Sequence, residues 1–363
     1  MRKHVVFSIA IVGALFAASQ FLLAAEHIVG GPFTVKVSTR SATVAWIVQS
    51  DEVTLTGPTA ETLSSPTLRV ESTTFTSLQP YTRYEYNISS AGDAGKGSFK
   101  TPPTGSEPYS FLVYGDNRTR HDVHRRVIAE VMKHPVPDFI VQTGDMVENG
   151  NATAQWPIFF AIEKELLRQT SFFPTIGNHE RTSHYVEDIF NEGARYYSFD
   201  WGNSHFTIID SQLTTSASDD SGRQAFWAEQ VRWIEDDLKS HQKADYRFVV
   251  AHHPPFTTVT SRQGNNPHMT ALTALFEKYH VSAGFFGHDH NYQHYLKNGV
   301  HYVTAGGGGA PLYDVNKPPE SITRKVVSIE NFVNVSVKGN IAHFQAVAID
   351  GSTLDEFDIE SAS

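Results

Sequence analysis

The N-terminal part of the chain alternates between apolar and polar positions over short segments that are separated by turn-forming Gly, Pro and Ser. The clearest alternations run through residues 43–48, 69–75 and 84–88. A period of two places successive side chains on opposite faces of a strand. Residues 26–105 are therefore predicted to form a small all-β sandwich.

The pattern changes after a hinge at residues 101–106, which contains two prolines and a glycine. Beyond the hinge, apolar runs alternate with segments in which apolar residues recur every three or four positions, as in residues 123–131. Strand-like runs that alternate with helix-like periods are typical of an α/β domain. We assign residues 106–350 to this second domain and residues 351–363 to a C-terminal tail.

Residues 1–25 combine Arg2 and Lys3 with an apolar run that ends at Ala24 and Ala25. This pattern is typical of a secretory signal peptide, which we expect to be cleaved near Ala25. The run is also long enough to anchor the chain in a membrane if it is not cleaved. No other segment of the sequence has that length and apolarity. The chain contains no Cys, which favours a bacterial periplasm or surroundings over animal secretion.

The charge of the chain argues against one class of partner. Removal of residues 1–25 leaves 27 basic and 39 acidic residues, because it takes away only Arg2 and Lys3, and the formal charge becomes −12. A chain of this charge is repelled by nucleic-acid backbones. We therefore expect no binding to nucleic-acid backbones.

Candidate metal ligands follow five apolar runs of the second domain, where strands are predicted to end. In an open α/β sheet these strand ends meet at one crevice, although they lie far apart in sequence. Of the 18 histidines, 16 lie in this domain, and carboxylate, amide and imidazole groups are the ligands left for a metal when Cys is absent. The five strand ends carry Gly115-Asp116, Gly144-Asp145, Gly177-Asn178-His179, His252 and Gly287-His288-Asp289-His290.

At these residues the chain resembles the calcineurin-like metallophosphoesterases. The preceding β-sandwich makes it most similar to the purple acid phosphatase branch. Residues 78–84 look like the tyrosine corner of a fibronectin type III domain, with Trp46 as its core tryptophan. The resemblance implies that a fibronectin-like sandwich precedes a four-layer α/β/β/α domain.

The resemblance also implies a binuclear site and a role for each ligand. Asp145 would bridge two metal ions, which could be Fe, Mn, Zn or a mixed pair. Asp116 and His290 would complete the first position. Asn178, His252 and His288 would complete the second. His179 would lie beside the leaving-group oxygen. The implied reaction is in-line attack of a metal-bound hydroxide on a small phosphate ester. Phosphomonoesters are the expected substrates, because Arg118 and His294 could bind a terminal phosphate.

Two residues depart from the family pattern. Arg118 stands where relatives often have a third ligand for the first metal, and Glu148 replaces the ligand tyrosine of the purple branch. Glu148 or Asn117 could ligate instead, and Arg118 could bind a substrate phosphate or pair with a carboxylate. His294 could face the substrate or belong to the core.

Two other functions remain open at this stage. One is a phosphodiesterase that uses the same site. The other is a degenerate, noncatalytic metal-binding protein whose N-terminal domain docks an unidentified partner.

Overall fold

The computed structural model describes residues 26–50, 53–54, 62–64, 67–191, 195–213, 220–316 and 321–361. The predicted signal peptide at residues 1–25 lies outside the described residues. Within the described part, no helix has the length and apolarity needed to cross a membrane.

The N-terminal region is rich in β-structure, as predicted. Its strands are β1 Glu26–Val35, β2 Ala42–Ser50, β3 Val53–Thr54, β4 Thr62–Ser64, β5 Leu68–Phe75, β6 Arg83–Ser90 and β7 Asp93–Lys100. Strands β1, β2 and β5 form an antiparallel unit, whereas β3 with β4 and β6 with β7 form two hairpins. Trp46 is buried and its indole nitrogen donates to Glu71 Oε2 at 2.8 Å, while the Tyr84 hydroxyl accepts the Gln79 N–H at 2.8 Å.

The second region alternates strands with helices and ends in an antiparallel run of strands. Its elements are β8 Tyr109–Tyr114, α1 His121–Val131, β9 Phe139–Gln142, α2 Gln155–Leu167, β10 Ser171–Pro174, α3 His184–Val186 with a π-helical turn Glu187–Asn191, β11 Tyr197–Trp201, β12 Ser204–Ile209, α4 Asp220–Ser240, β13 Tyr246–Ala251, a 3₁₀ turn Thr260–Arg262, α5 Pro267–Lys278, β14 Ala283–Phe286, β15 Tyr292–Lys297, β16 Val300–Ala305, β17 Thr323–Val327, β18 Asn331–Lys338, β19 Ile341–Ala348 and β20 Thr353–Glu360.

These strands build two sheets that pack face to face. One has the order β20-β19-β18-β8-β9-β10-β1-β2-β5 and the other β11-β12-β13-β14-β16-β15-β17. Alternate residues of β8 face opposite sides: Phe111 lies in the core between the sheets, whereas Leu112 packs with the helices α1 and α2. On β13, Phe248 faces the inter-sheet core and Val249 packs with α4 and α5. The predicted α/β/β/α layering is therefore confirmed.

The first sheet continues across the predicted domain boundary near residue 105. β1 pairs in parallel with β10, with Thr34 opposite Ser171. The Phe33 ring stacks on Phe160 of α2, with 5.1 Å between ring centroids. Strands of the N-terminal region thus share both a sheet and a core with the α/β region, a connection that the sequence analysis did not predict.

The segment assigned to a C-terminal tail contains an edge strand. β20 pairs with β19 in antiparallel register, and Leu354, Phe357 and Ile359 pack against the inter-sheet core. Acidic residues stand between these apolar positions. Exposed charges on an edge strand discourage pairing with another chain. They also lower the apolar content of the segment, so its sequence pattern did not indicate a strand.

Candidate metal centre

The candidate ligands lie at one end of the two sheets because the parallel strands of each sheet end there. Asp116 follows β8, Asp145 follows β9, and His288 follows β14. All three residues have left-handed backbone, with φ of 58°, 56° and 68°. Non-glycine residues in this region carry strain that is common at functional sites. The left-handed conformation directs each of these three side chains into the crevice.

One half of the centre is formed by Asn178, His252 and His288. His252 donates from Nδ1 to the Thr143 carbonyl at 2.8 Å, which leaves the lone pair of Nε2 facing the crevice. That nitrogen lies 3.0 Å from Asn178 Oδ1, and His288 Nδ1 lies 2.9 Å from the same oxygen. The two imidazole nitrogens are 3.2 Å apart.

The other half is formed by Asp116 and His290. His290 donates from Nδ1 to the Pro311 carbonyl at 2.6 Å, so its Nε2 lone pair faces Asp116 Oδ1 at 3.4 Å. The ring of Tyr313 stacks on the His290 imidazole at 4.4 Å between centroids and holds its plane.

Asp145 lies between these halves. Its Oδ1 is 3.4 Å from His252 Nε2, and one ligand atom from each of Asp116, Asp145 and His252 lies within 4.8 Å of the others. The structure therefore brings together all six predicted ligands.

The electrostatics of this group fit two cations. Burial, and then the neighbouring Asp145 carboxylate, raise the pKa of Asp116 well above its usual value. Burial lowers the pKa of His252 to about 3 and that of His290 to about 4, so both imidazoles are neutral. Neutral nitrogens and carboxylate oxygens that face one another with lone pairs repel unless a cation lies between them. Imidazole, carboxylate and amide oxygen suit Fe, Mn or Zn.

Glu180 was missed by the sequence analysis, although it follows His179 directly. Its buried carboxylate accepts three backbone N–H groups, from Asp145 at 2.9 Å, Val147 at 3.0 Å and Gly177 at 3.1 Å. These bonds tie the loop after β9 to the loop after β10. Glu180 therefore positions Asp145 and Asn178 relative to each other.

Gly177 makes this close approach of the two loops possible. A Cβ atom at this position would clash with the backbone nitrogen and with Oδ1 of Asp145. Only glycine lets the two ligand-bearing loops pack this closely.

Glu180→Gln is expected to weaken metal binding by about 10- to 100-fold, as the loss of groups that orient ligands does in other metal sites. The amide offers one oxygen where three N–H groups need acceptors, and its NH₂ group faces donors. Equilibrium dialysis measures the effect.

Glu163→Gln is the matched control for this variant. Its buried carboxylate bonds to Tyr114 and His124, at 2.8 and 2.6 Å, and to no backbone N–H of the loops that carry Asp145 and Asn178. If both variants lose metal affinity equally, Glu180 has no special positioning role.

His179 lies at the edge of the centre and is partly exposed. Its Nδ1 donates to the Glu148 carbonyl at 2.6 Å, and its Nε2 lies 3.8 Å from Asp145 Oδ2. The Glu148 backbone carbonyl thus orients His179, and the carboxylate of the same residue lies 3.8 Å from Nδ1.

Arg118 occupies a place between two carboxylates. Its Nη1 donates to Glu148 Oε2 at 2.5 Å, and its Nε lies 3.4 Å from Asp145 Oδ2. This Nε–H is buried and has no hydrogen-bond partner among the residues that the structure describes. Asn117 is turned away from the centre, since its Oδ1 accepts from Gln142 at 2.9 Å and its Nδ2 faces His124 at 3.0 Å. Arg118 therefore faces the centre, with its Nε beside the Asp145 carboxylate, whereas Asn117 does not.

His294 does not belong to this site. Its Nδ1 lies 2.7 Å from Asp355 Oδ2, its Nε2 lies 2.9 Å from His301 Nδ1, and its ring stacks on Phe357. These contacts place His294 in the core, the second of the two alternatives, and away from the crevice. Residues 292–297 form strand β15, whose alternation turns His294 toward β20 rather than toward the crevice.

Arg262 is a cation near the centre that the sequence analysis also missed. Its guanidinium lies 4.3 Å from the centroid of the Tyr313 ring and donates to Asp289 Oδ1 at 3.0 Å, and it also bonds to the His288 carbonyl. These contacts hold the loop that carries His288 and the ring that stacks on His290.

Comparisons with known proteins agree with this geometry. The family model described as calcineurin-like phosphoesterase matches residues 109–292. Acid phosphatase A of Cryphonectria parasitica is 28% identical over 139 residues, which is 31% of this chain. The match spans only 28% of that protein's length.

Two solved structures share the fold. Purple acid phosphatase PPD1 from yellow lupin (Lupinus luteus) seeds gives a TM-score of 0.71 at 19% identity, over 93% of this chain and 74% of that one. GAP50, the anchor in the inner membrane complex of Plasmodium, gives 0.53 at 17% identity, over 70% of this chain and 90% of that one. The predicted fold is confirmed by these matches.

Proposed function

Because the chain belongs to the calcineurin-like phosphoesterase family, we propose that it is an exported phosphoesterase that uses two metal ions and prefers phosphomonoesters. The observation that carries the proposal is the convergence of five candidate ligand side chains around Asp145, with His179 beside them. The basic and apolar character of residues 1–25 supports export.

We assign Asp116, His290 and the shared Asp145 to the first ion. Asn178, His252, His288 and the same Asp145 are assigned to the second. Bound ions would act as Lewis acids on the phosphate oxygens and would lower the pKa of a water molecule. The protein contributes imidazoles in fixed orientations, since His252 and His290 each donate a hydrogen bond from Nδ1 to a backbone carbonyl.

His179 is assigned the role of proton donor to the leaving oxygen. Its Nδ1 is fixed by the Glu148 carbonyl, so only Nε2 can exchange a proton with a substrate in the crevice. The side chain is 20% exposed, which allows a bound ester to reach it.

Arg118 is assigned the role of binding the terminal phosphate. A guanidinium suits the planar, bidentate recognition of phosphate oxygens. Within the described part of the chain, Arg118 Nε makes no hydrogen bond and has only its 3.4 Å contact with Asp145 Oδ2. The Glu148 side chain that pairs with it is 45% exposed, so a dianionic phosphate could replace this carboxylate at little cost.

Arg118→Ala is expected to raise the KM for a phosphomonoester by about 10- to 100-fold, the range for a charge-assisted hydrogen bond, while metal content stays unchanged. Glu148→Gln is the control, because it removes the ion pair and keeps the guanidinium. KM in that variant should stay the same or fall. An unchanged KM in Arg118→Ala would mean that Arg118 serves only its ion pair with Glu148.

The second candidate is a noncatalytic protein that keeps the fold. Arg118 places a cation 3.4 Å from the proposed bridging Asp145, where a third ligand for the first ion would be expected, and this observation favours it. GAP50, described as an anchor, has a similar fold, so the fold alone does not establish hydrolysis.

Initial rates on nitrophenyl phosphate and bis(nitrophenyl) phosphate test the proposal. We expect a higher kcat/KM for the monoester, and loss of both activities after chelation. A higher value for the diester would replace the proposal with a phosphodiesterase. No turnover of either ester with added Mn, Fe or Zn would favour the noncatalytic protein.

A further inference from the structure

A second group of potential metal ligands lies where β11 and β12 form the edge of the second sheet, at the opposite end of the strands from the proposed metal centre. It consists of Asp200 at the end of β11, His205 at the start of β12 and His241 directly after α4. We call this group the hairpin site. His205 is level with Arg247 of β13, whereas the ligand His252 follows the other end of β13. Five residues of strand separate the two levels by roughly 16 Å. The hairpin site is therefore independent of the proposed metal centre.

The three side chains are close enough to share one ion. One ligand atom from each lies within 4.8 Å of the other two. Asp200 Oδ1 and His205 Nδ1 are already 2.7 Å apart, and the imidazoles of His205 and His241 stack in parallel with 3.5 Å between centroids.

Both imidazoles are held by Asp237 through their other nitrogen. His205 Nε2 lies 2.9 Å from Asp237 Oδ2, and His241 donates from Nδ1 to the Asp237 carbonyl at 2.8 Å. The Asp237 carboxylate is itself fixed by the hydroxyls of Thr207 and Ser198, at 2.8 and 2.9 Å. A carboxylate or carbonyl bonded to the distant nitrogen is the usual support of a metal-ligating histidine. His205 Nδ1 and His241 Nε2 remain as the ligating atoms.

An ion pair between His205 and its two aspartates does not involve the His241 imidazole, which stacks on His205. Because imidazole lone pairs lie in the ring plane, binding of one ion by both rings requires His241 to rotate out of this stack, which its exposure to solvent allows. The three side chains differ in exposure. That of His205 is 1% exposed, whereas those of His241 and Asp200 are 34% and 67% exposed, so an ion can reach the site from solvent. One ligand is fixed, and two can adjust around an ion that arrives from solvent.

We propose that Asp200, His205 and His241 bind a further divalent transition-metal ion. Two imidazoles and one carboxylate, without thiolate, suit Zn²⁺, Ni²⁺ or Cu²⁺. Three protein ligands leave the remaining coordination position to solvent. The ion joins the β11–β12 hairpin to the end of α4, and its role is to stabilise that edge of the sheet.

Calorimetric titration of the purified, metal-loaded full chain with Zn²⁺ tests this site. We expect one additional equivalent to bind and to raise the Tm. His241→Ala and Asp200→Asn should each weaken that binding by more than about tenfold, since even the loss of a supporting residue has this effect. Turnover at the catalytic centre should not change in either variant. Failure of the native chain to bind an added equivalent would overturn the proposal.

His343→Ala is the matched control. His343 lies 2.7 Å from Asp358 Oδ1 and 3.2 Å from Glu356 Oε1 and is 39% exposed, so it pairs one imidazole with two carboxylates. This variant should bind the added Zn²⁺ as the native chain does. Native-like binding by His241→Ala, or loss of binding in His343→Ala, would contradict the assignment.

Electron paramagnetic resonance with Cu²⁺ as the added ion gives a second, structural readout. The spectrum should carry hyperfine coupling to two imidazole nitrogens in the native chain and to one in His241→Ala. Identical coupling in the two proteins would exclude His241 as a ligand.

Discussion

Asp145→Asn is expected to lower turnover by more than about 10³-fold, which exceeds the usual cost of one lost oxyanion donor, and to remove both catalytic metal ions. The reason is its central position: Oδ1 lies 3.4 Å from His252 Nε2 and accepts the His179 N–H at 3.1 Å, while Oδ2 faces Arg118. An amide keeps the shape but provides one oxygen and no charge for two ions. Elemental analysis and kcat measured on the same sample check this result.

Asp138→Asn is the control for this variant. Asp138 lies directly before the same strand, β9, and its Oδ2 accepts the Ser110 N–H at 3.0 Å. It should retain its metals and turnover. Retention of two ions by Asp145→Asn would show that Asp145 does not bridge them.

His179→Asn is expected to lower kcat by about 10² to 10⁴-fold, the range for loss of a general acid, with metal content unchanged. The loss should be largest for an alkyl phosphate, whose leaving alkoxide needs a proton, and smallest for nitrophenyl phosphate, whose leaving group is already stable. The comparison of the two esters is therefore an internal control. Loss of metal, or full activity on the alkyl ester, would show that His179 does not act as the acid.

The proximity of the candidate ligands could be predicted from the sequence because two kinds of information coincide. Buried parallel strands appear as apolar runs, and their ends meet at one edge of a sheet. Asp116, Asp145 and His252 each follow such a run, so their proximity follows from topology without knowledge of any contact. The family resemblance based on these motifs is confirmed by the match to residues 109–292.

The residues that position the ligands could not be predicted in the same way. Glu180 acts through backbone N–H groups of three residues, and backbone donors leave no trace in the sequence. The two alternatives for His294 could not be separated from the sequence for a different reason. The residue follows His290 closely in the chain, but Tyr292–Lys297 is a strand whose period of two turns His294 toward Asp355.

The connection between the N-terminal strands and the α/β region also depends on tertiary structure. β1 meets β10 after 135 intervening residues, counted from Val35 to Ser171, and the apolar pattern of β1 would serve equally well inside an isolated sandwich. Packing of Phe33 on Phe160 selects the shared sheet. The predicted domain boundary near residue 105 remains a prediction, and it divides a continuous hydrophobic core.

The metal content and turnover of one sample test the proposed two-metal phosphoesterase most directly. We would use the His241→Ala variant, so that an ion at the hairpin site is not counted, and measure metals and nitrophenyl phosphate hydrolysis before and after treatment with a chelator. We expect two ions per chain, and activity that is lost when the ions are removed and restored when they are returned. One ion or none, with no hydrolysis after addition of Mn, Fe or Zn, would contradict it.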